Sequence, residues 1–188
     1  MSPKPAEPSP HPAFTVATGG PHEAEALAAV AALTFPLACP DSLSREAIAA
    51  FTEENLSPSA FSAHLADPGT IVLLARDPAG DPVGYVVAIP GRGEDPAAGA
   101  LVRGRTPMYL SKCYAVPRAH GSGLATELME RAVELARSAG HDSLWLGTNA
   151  DNARARRFYE KTGFLQRGER DFVVGGQLCR DVVLERPI

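Results

Sequence analysis

The chain has 188 residues, 45% of them hydrophobic, and a net charge of −4. That length suits one domain with a substantial core, and no basic stretch offers the phosphate-neutralising charge a nucleic-acid partner needs. No apolar run reaches the roughly 18–20 residues of a membrane span, and the three well-separated cysteines, Cys39, Cys113 and Cys179, support neither a disulfide framework nor a zinc site.

Residues 1–12 hold five prolines and one lysine, without the basic-then-apolar order of a secretory signal. They read as a disordered tail ahead of a single domain over 13–188, in a cytoplasmic protein. Residues 14–17 alternate as a short strand. Residues 21–33 read as a helix, Pro21 being allowed in its first turn, with Ala24, Leu27, Ala28, Ala31 and Ala32 as a mild apolar stripe. Pro36 and Pro40 make 34–42 a loop. Ser44 caps a helix that turns Ala47, Ile48 and Phe51 inward, and a second helical piece covers 59–66 with Phe61 and Leu65. Strands at 70–75 and 82–89 flank the turn-forming Asp77-Pro78-Ala79-Gly80-Asp81 and make a hairpin.

Residues 90–107, rich in glycine, proline and charge, read as an exposed excursion longer than a usual connection. A strand at 108–116 ends at Pro117, which has no amide donor. Residues 124–139 make the best helix, with Leu124, Leu128, Ala132, Leu135 and Ala139 on one face and Gly140 as its stop. A short strand at 143–146 leads through a polar turn at 147–151 into a helix at 152–161, ended by Gly163. Strands at 164–174 and 178–184 close the chain around Gly175-Gly176. This order predicts an α/β chain with a mixed sheet, not a doubly wound parallel one.

The segment Arg118-Ala119-His120-Gly121-Ser122-Gly123-Leu124 joins a strand to that best helix. Glycine permits tight or left-handed backbone and close ligand approach. The free amides of a first helical turn and the positive helix end suit a diphosphate. The segment is not the G-x-G-x-x-G dinucleotide fingerprint, and no Walker Lys-Ser/Thr pair follows it. Its residues alone point to an anion site while leaving a plain structural turn open.

Arg118-x-x-Gly121-x-Gly123 resembles the acyl-CoA pyrophosphate motif of the GNAT-family N-acetyltransferases. Downstream, Asn152-Ala-Arg-Ala-Arg-Arg-Phe-Tyr159-Glu-Lys-Thr-Gly-Phe164 is similar to the family's Asn-x-x-Ala-x-x-Phe-Tyr-Glu-Lys-x-Gly-Phe signature. The likeness is strong over 109–164. Within the family, residues 111–116 and the closing Asp181-Val182-Val183-Leu184 look most similar to PaiA-type polyamine acetyltransferases.

The resemblance implies a mixed, mostly antiparallel sheet of about seven strands flanked by helices. Its two central parallel strands, here 108–116 and 143–146, splay to admit the pantetheine arm of acetyl-CoA. Implied cofactor contacts are Tyr114, Val116, Arg118, His120, Gly121, Ser122, Gly123, Leu124, Ala125, Asn152 and Tyr159. The backbone of Tyr114 and Val116 would pair with pantetheine as an added strand pairs with a sheet edge, and the 118–124 amides would cradle the pyrophosphate. Asn152 reads equally as a helix cap and as a cofactor ligand.

The implied reaction is acetyl transfer from acetyl-CoA to a primary amine of a small molecule, by direct attack in a ternary complex. Tyr159 would protonate the departing thiolate, the Val116 amide would stabilise the oxyanion, and a general base would take the amine proton. Glu53, Glu54, His64, Glu94, Asp95, Tyr109 and Lys112 are available as base, and nothing in the sequence selects among them. Cys113 reads as a buried thiol, no cluster has metal-ligand spacing, and a homodimer is open. A protein amino-terminal or lysine acetyltransferase, and a non-catalytic CoA-binding regulatory module, stand as alternatives.

Overall fold

The computed structural model describes residues 14–188, so the tail expected over 1–12 lies outside the described residues. The elements in chain order are β1 (Thr15–Thr18), α1 (Ala24–Thr34), α2 (Arg45–Asn55), α3 (Pro58–Ala66), β2 (Ile71–Arg76) and β3 (Pro82–Pro90). They continue as α4 (Pro96–Leu101), β4 (Pro107–Ala115), α5 (Leu124–Ser138), β5 (Ser143–Asn149), α6 (Ala153–Lys161), β6 (Leu165–Val174) and β7 (Gln177–Pro187). Among the described residues the strands form one seven-stranded sheet in the order β1-β2-β3-β4-β5-β7-β6. Only β4 and β5 run parallel; the other pairs are antiparallel. This is the mixed α/β sheet that the element order predicts, in the mostly antiparallel, seven-stranded form that the resemblance implies.

Local chemistry explains most boundaries. Ser44 and Ser57 accept from the Ala47 and Ala60 amides and start α2 and α3. Helix α1 begins at Ala24, three residues later than expected, and buries Leu27, Val30 and Ala31. Strand β3 packs against both α1 and α5, which is why Val83, Tyr85, Val86, Val87 and Ala88 are all fully buried and the strand reads as a near-continuous apolar run. On α5 the buried face is Leu124, Leu128, Met129, Ala132, Val133 and Ala136. Leu135 is only half-buried and Ala139 is exposed, so the face is rotated from the expected one toward Met129 and Val133.

Three readings need correction. The 90–107 excursion contains helix α4, which starts at Pro96 because Asp95 accepts from the Ala97 and Ala98 amides at 2.9 and 3.1 Å. The Arg92 guanidinium then bonds the Gly99, Val102 and Gly104 carbonyls and closes the segment. Strand β5 runs to Asn149 instead of turning at Gly147, because Gly147, Thr148 and Asn149 pair with Val183, Val182 and Asp181. Strand β7 likewise extends to Pro187, as its last residues pair with the start of β5.

The feature that positions the site is a gap in the sheet. Strands β4 and β5 pair only through Pro107–Ser143, Met108–Leu144 and Tyr109–Trp145. Beyond that, β4 follows β3 and β5 follows β7. A register shift opposite Val87–Ala88 leaves Ser111 without a partner on β3, and a bulge of this kind bends and twists its strand. The closed end is clamped by Glu185, 1% exposed. It accepts from the Arg103 and Gly104 amides, Ser143 Oγ and Arg167 Nε.

Candidate active site

The gap opens into a cavity of about 430 Å³ that runs from the glycine turn, along β4 and β5, to the β6–β7 hairpin. Its lining includes seven residues expected at the site: Tyr114, His120, Gly121, Gly123, Ala125, Asn152 and Tyr159. Val116, Arg118, Ser122 and Leu124, also expected there, are not among its lining residues.

Each exclusion has a cause. The Val116 amide donates to Val83 O at 2.9 Å, so it is not free to stabilise an oxyanion. Backbone direction alternates along an antiparallel strand, so Tyr114 also turns its backbone toward β3, and the groups facing the gap belong to Cys113 and Ala115. The expected backbone register is therefore one residue off. Arg118 leaves the turn to pair with Asp77 at 2.8 Å. Ser122 Oγ donates to Ala119 O and accepts from the Leu124 amide, which closes the turn. Leu124 itself is fully buried in the core.

At the turn, Gly121 and Gly123 have φ of 78° and 90°, and a Cβ on either would meet nothing within 4 Å. The backbone is left-handed, where glycine is favoured, and the space above it is open. The first intrahelical bond of α5 is Glu127 N to Gly123 O, so the Ala125 and Thr126 amides lie ahead of it. Arg154 supplies the positive charge here. Its Nη1 lies 3.0 Å from His120 Nδ1, while His120 Nε2 lies 3.0 Å from Ala115 O. Because arginine only donates, Nδ1 accepts and Nε2 carries the proton given to the carbonyl. Open glycines, convergent amides and an arginine fit a pyrophosphate.

Further along, Asn152 Oδ1 accepts from the Ala155 amide at 3.0 Å and caps α6, which projects Tyr159 into the cavity two turns on. Tyr159 is 9% exposed, and its ring packs edge-on to Phe158 and Phe164. Burial, reinforced by Cys113, Tyr114 and Tyr109, pushes its phenol well above the ordinary range. The hydroxyl therefore holds its proton at any working pH.

The profile of the acetyltransferase (GNAT) family matches residues 34–164, well over half of the chain. The chain belongs to the GNAT family. An uncharacterized N-acetyltransferase of Mycobacterium tuberculosis is 42% identical over 166 residues, covering 88% of this chain and 98% of that protein. Among solved structures, the PaiA N-acetyltransferase of Thermoplasma acidophilum in complex with coenzyme A shares the fold at a TM-score of 0.73 and 16% identity, covering 94% of this chain and 99% of that one. The ribosomal-protein-S18-alanine N-acetyltransferase of Escherichia coli does so at 0.65 and 15%, covering 94% of each chain. The protein is an acyltransferase.

In this GNAT chain the structure sorts the available bases. Glu53, Glu54, His64, Glu94, Asp95, Tyr109 and Lys112 do not line the cavity. Burial and then Lys112 lower His64 to about 4, and burial lowers Lys112 to about 8, but both lie outside the lining. The carboxylate that does line it is Asp181, 5% exposed and paired with Arg170 at 3.3 Å. Sequence pattern registers Asp181 only as the start of the last apolar run. Its partner Arg170 sits opposite it in the β6–β7 register, visible only once the hairpin is aligned about its two-glycine turn.

Proposed function

We propose that this GNAT enzyme transfers the acetyl group of acetyl-CoA to a primary amine on a small molecule, by direct attack within a ternary complex. The observation that carries this reading is that the open glycine turn, the strand gap and the buried Tyr159 hydroxyl share one continuous cavity. In this reading the Gly121, Gly123, Ala125 and Thr126 amides, with Arg154, hold the pyrophosphate at the α5 amino end. The gap-facing backbone of Cys113 and Ala115 pairs with the pantetheine arm, and their amides take the oxyanion role expected of Val116. Tyr159 gives its proton to the departing sulfur.

A small acceptor is supported by the walls. Phe35, Leu37 and Leu43 from the α1–α2 segment and Phe172 and Val174 from β6 line the same cavity. Three free cysteines gathered in this lining favour a reducing, cytoplasmic setting. The unpaired β6 edge, with Leu165 and Val173 exposed, offers a surface for a homodimer. The test is calorimetric titration with acetyl-CoA and ATP, followed by thiol release across small amines and an amino-terminal peptide. Acetyl-CoA binding with release on small amines is expected. Binding of ATP alone would defeat the reading, and release confined to the peptide would move the acceptor to protein.

A further inference from the structure

Asp181 on β7 lies across from Asn149 on β5 and Arg170 on β6. Arg170 Nε and Nη2 both reach the same oxygen, Oδ2, at 3.4 and 3.3 Å. The other oxygen, Oδ1, has no hydrogen-bond partner among the described residues. It is not sealed in the core either, because the orphaned polar side-chain atom that is fully buried there is the Tyr85 hydroxyl. Oδ1 thus belongs to a residue only 5% exposed and is left to the cavity that Asp181 lines.

Arg170 holds that carboxylate from behind without neutralising the site. It passes under Gly147, where a Cβ would overlap the guanidinium, and is absent from the cavity lining. It also faces Asp95 at 3.7 Å and lies over the Phe172 ring. One guanidinium therefore faces two carboxylates, so the three groups together carry a net negative charge. Phe35, Cys39, Cys113, Phe172 and Cys179 give the same cavity an apolar side, and Asn149, across from Asp181, adds an uncharged polar group. Among all the lining residues Asp181 is the single acid.

We propose that Asp181 receives the ammonium group of the acceptor and takes its first proton, and that the acceptor is a monocationic primary amine with an apolar or aromatic body, not a polyamine. The inference rests on the acetyl-transfer reading above. A polyamine would place further ammonium groups in a cavity whose lining holds no second carboxylate, which is costly. In the reaction, Asp181 Oδ1 accepts a proton from the ammonium, and the freed nitrogen lone pair attacks the thioester carbonyl carbon. As the carbon–sulfur bond breaks, sulfur takes the Tyr159 proton. The second proton shed by nitrogen restores the phenol through solvent, and Asp181 releases its proton to water. Burial pushes the Asp181 carboxyl above the usual range while Arg170 pulls it back, which brings it closer to an amine's working range. The titratable groups that interact with it are Arg170 from β6, Tyr114 from β4 and Cys179 on β7.

The test compares wild type with Asp181→Asn and Asp181→Glu, using phenethylamine and spermidine. Asp181→Asn should bind acetyl-CoA within about twofold of wild type, yet lose roughly 10²–10³-fold in kcat/KM for phenethylamine, together with the acid limb of the pH profile. Asp181→Glu should recover part of the loss. Phenethylamine should also bind wild type loaded with desulfo-CoA and fail to bind the Asn variant. An Asn variant within threefold of wild type with the same pH profile would overturn the proposal. So would spermidine outperforming phenethylamine on wild type, a comparison that needs no variant to fold. Asp181-dependent amine binding without thiol release would defeat the acetyl-transfer reading and leave the amine site standing.

Discussion

Tyr159→Phe is the cleanest probe of the chemistry, because it deletes one oxygen and keeps the ring. The ring centroids of Phe158 and Phe164 lie 5.3 and 5.4 Å from that of Tyr159, and phenylalanine preserves both contacts, so the variant should melt near wild type. A positioned acid contributes about 10²–10⁴-fold. The leaving group is a thiolate whose conjugate acid has a pKa of about 8.5, so it needs less help than an amine, and the lower end applies. We expect kcat to fall about 10²-fold, equivalent to about 2.7 kcal/mol of barrier, with acetyl-CoA affinity unchanged. Because burial holds the phenol well above its usual range, Tyr159 stays protonated as pH rises and contributes no alkaline loss below pH ~10. The assay is thiol release at saturating acetyl-CoA with the amine varied, beside calorimetric titration of acetyl-CoA. A kcat within threefold of wild type would refute the acid role. So would a loss confined to acetyl-CoA affinity, which would make the hydroxyl a binding group.

Other outcomes separate the remaining assignments. Arg154→Ala should weaken acetyl-CoA binding about tenfold with a reduced salt dependence, whereas Arg118→Ala, which breaks only the pair with Asp77, should leave binding unchanged; calorimetry at two salt concentrations reads both, and the reverse order would return the pyrophosphate to Arg118. Glu185 is pushed up by burial but pulled below the usual range by the Gly104 and Arg103 amides, Arg167 and Ser143. A lowered folded pKa means its stabilisation is complete above the unfolded value of about 4.3 and is lost as pH falls through the folded one. Glu185→Gln should therefore cost about 3–5 kcal/mol near neutrality and flatten the acid side of the melting curve; an unchanged melting temperature at pH 7 would contradict the clamp. Burial raises Cys39 to about 11 and Cys113 to about 12, so iodoacetamide should label Cys113 slowly at pH 8, faster above pH 10, and more slowly still with acetyl-CoA present. Rapid labelling at pH 8, read by peptide mass spectrometry, would show that the thiol is not held in its protonated form.

Much of this organisation is legible in the residues, because periodicity and caps act locally. Ser44, Asn152 and the α5 stripe declare their helices, and the glycine turn is legible as a left-handed turn ahead of a helix. What was hidden depends on partners distant in sequence. Nothing near Val116 says that its amide is taken by Val83, because that depends on the β3–β4 register. Arg118 matches the motif pattern, yet Asp77, brought up by the β2–β3 turn, draws it away. Helix α4 escaped because Gly99 dilutes a short apolar run, although the Asp95-Pro96 start was present. Asp181 gains its character from Arg170, and that pairing follows from alignment about Gly175-Gly176.

The three residue pairs joining β4 to β5 also carry a mechanical meaning. Four strands lie on one side of that short seam and three on the other, so the sheet is a pair of leaves hinged at the end clamped by Glu185. A pantetheine arm laid in the opening would serve as the missing rung between them. Occupancy and rigidity are then linked: at a hundred times Kd the bound carrier adds about 2.7 kcal/mol to the folded state, delivered where the leaves part. Hydrogen exchange should slow at Cys113 and Ala115 as the carrier binds. An amine would then meet walls already locked in place, so the expected order of binding is carrier first.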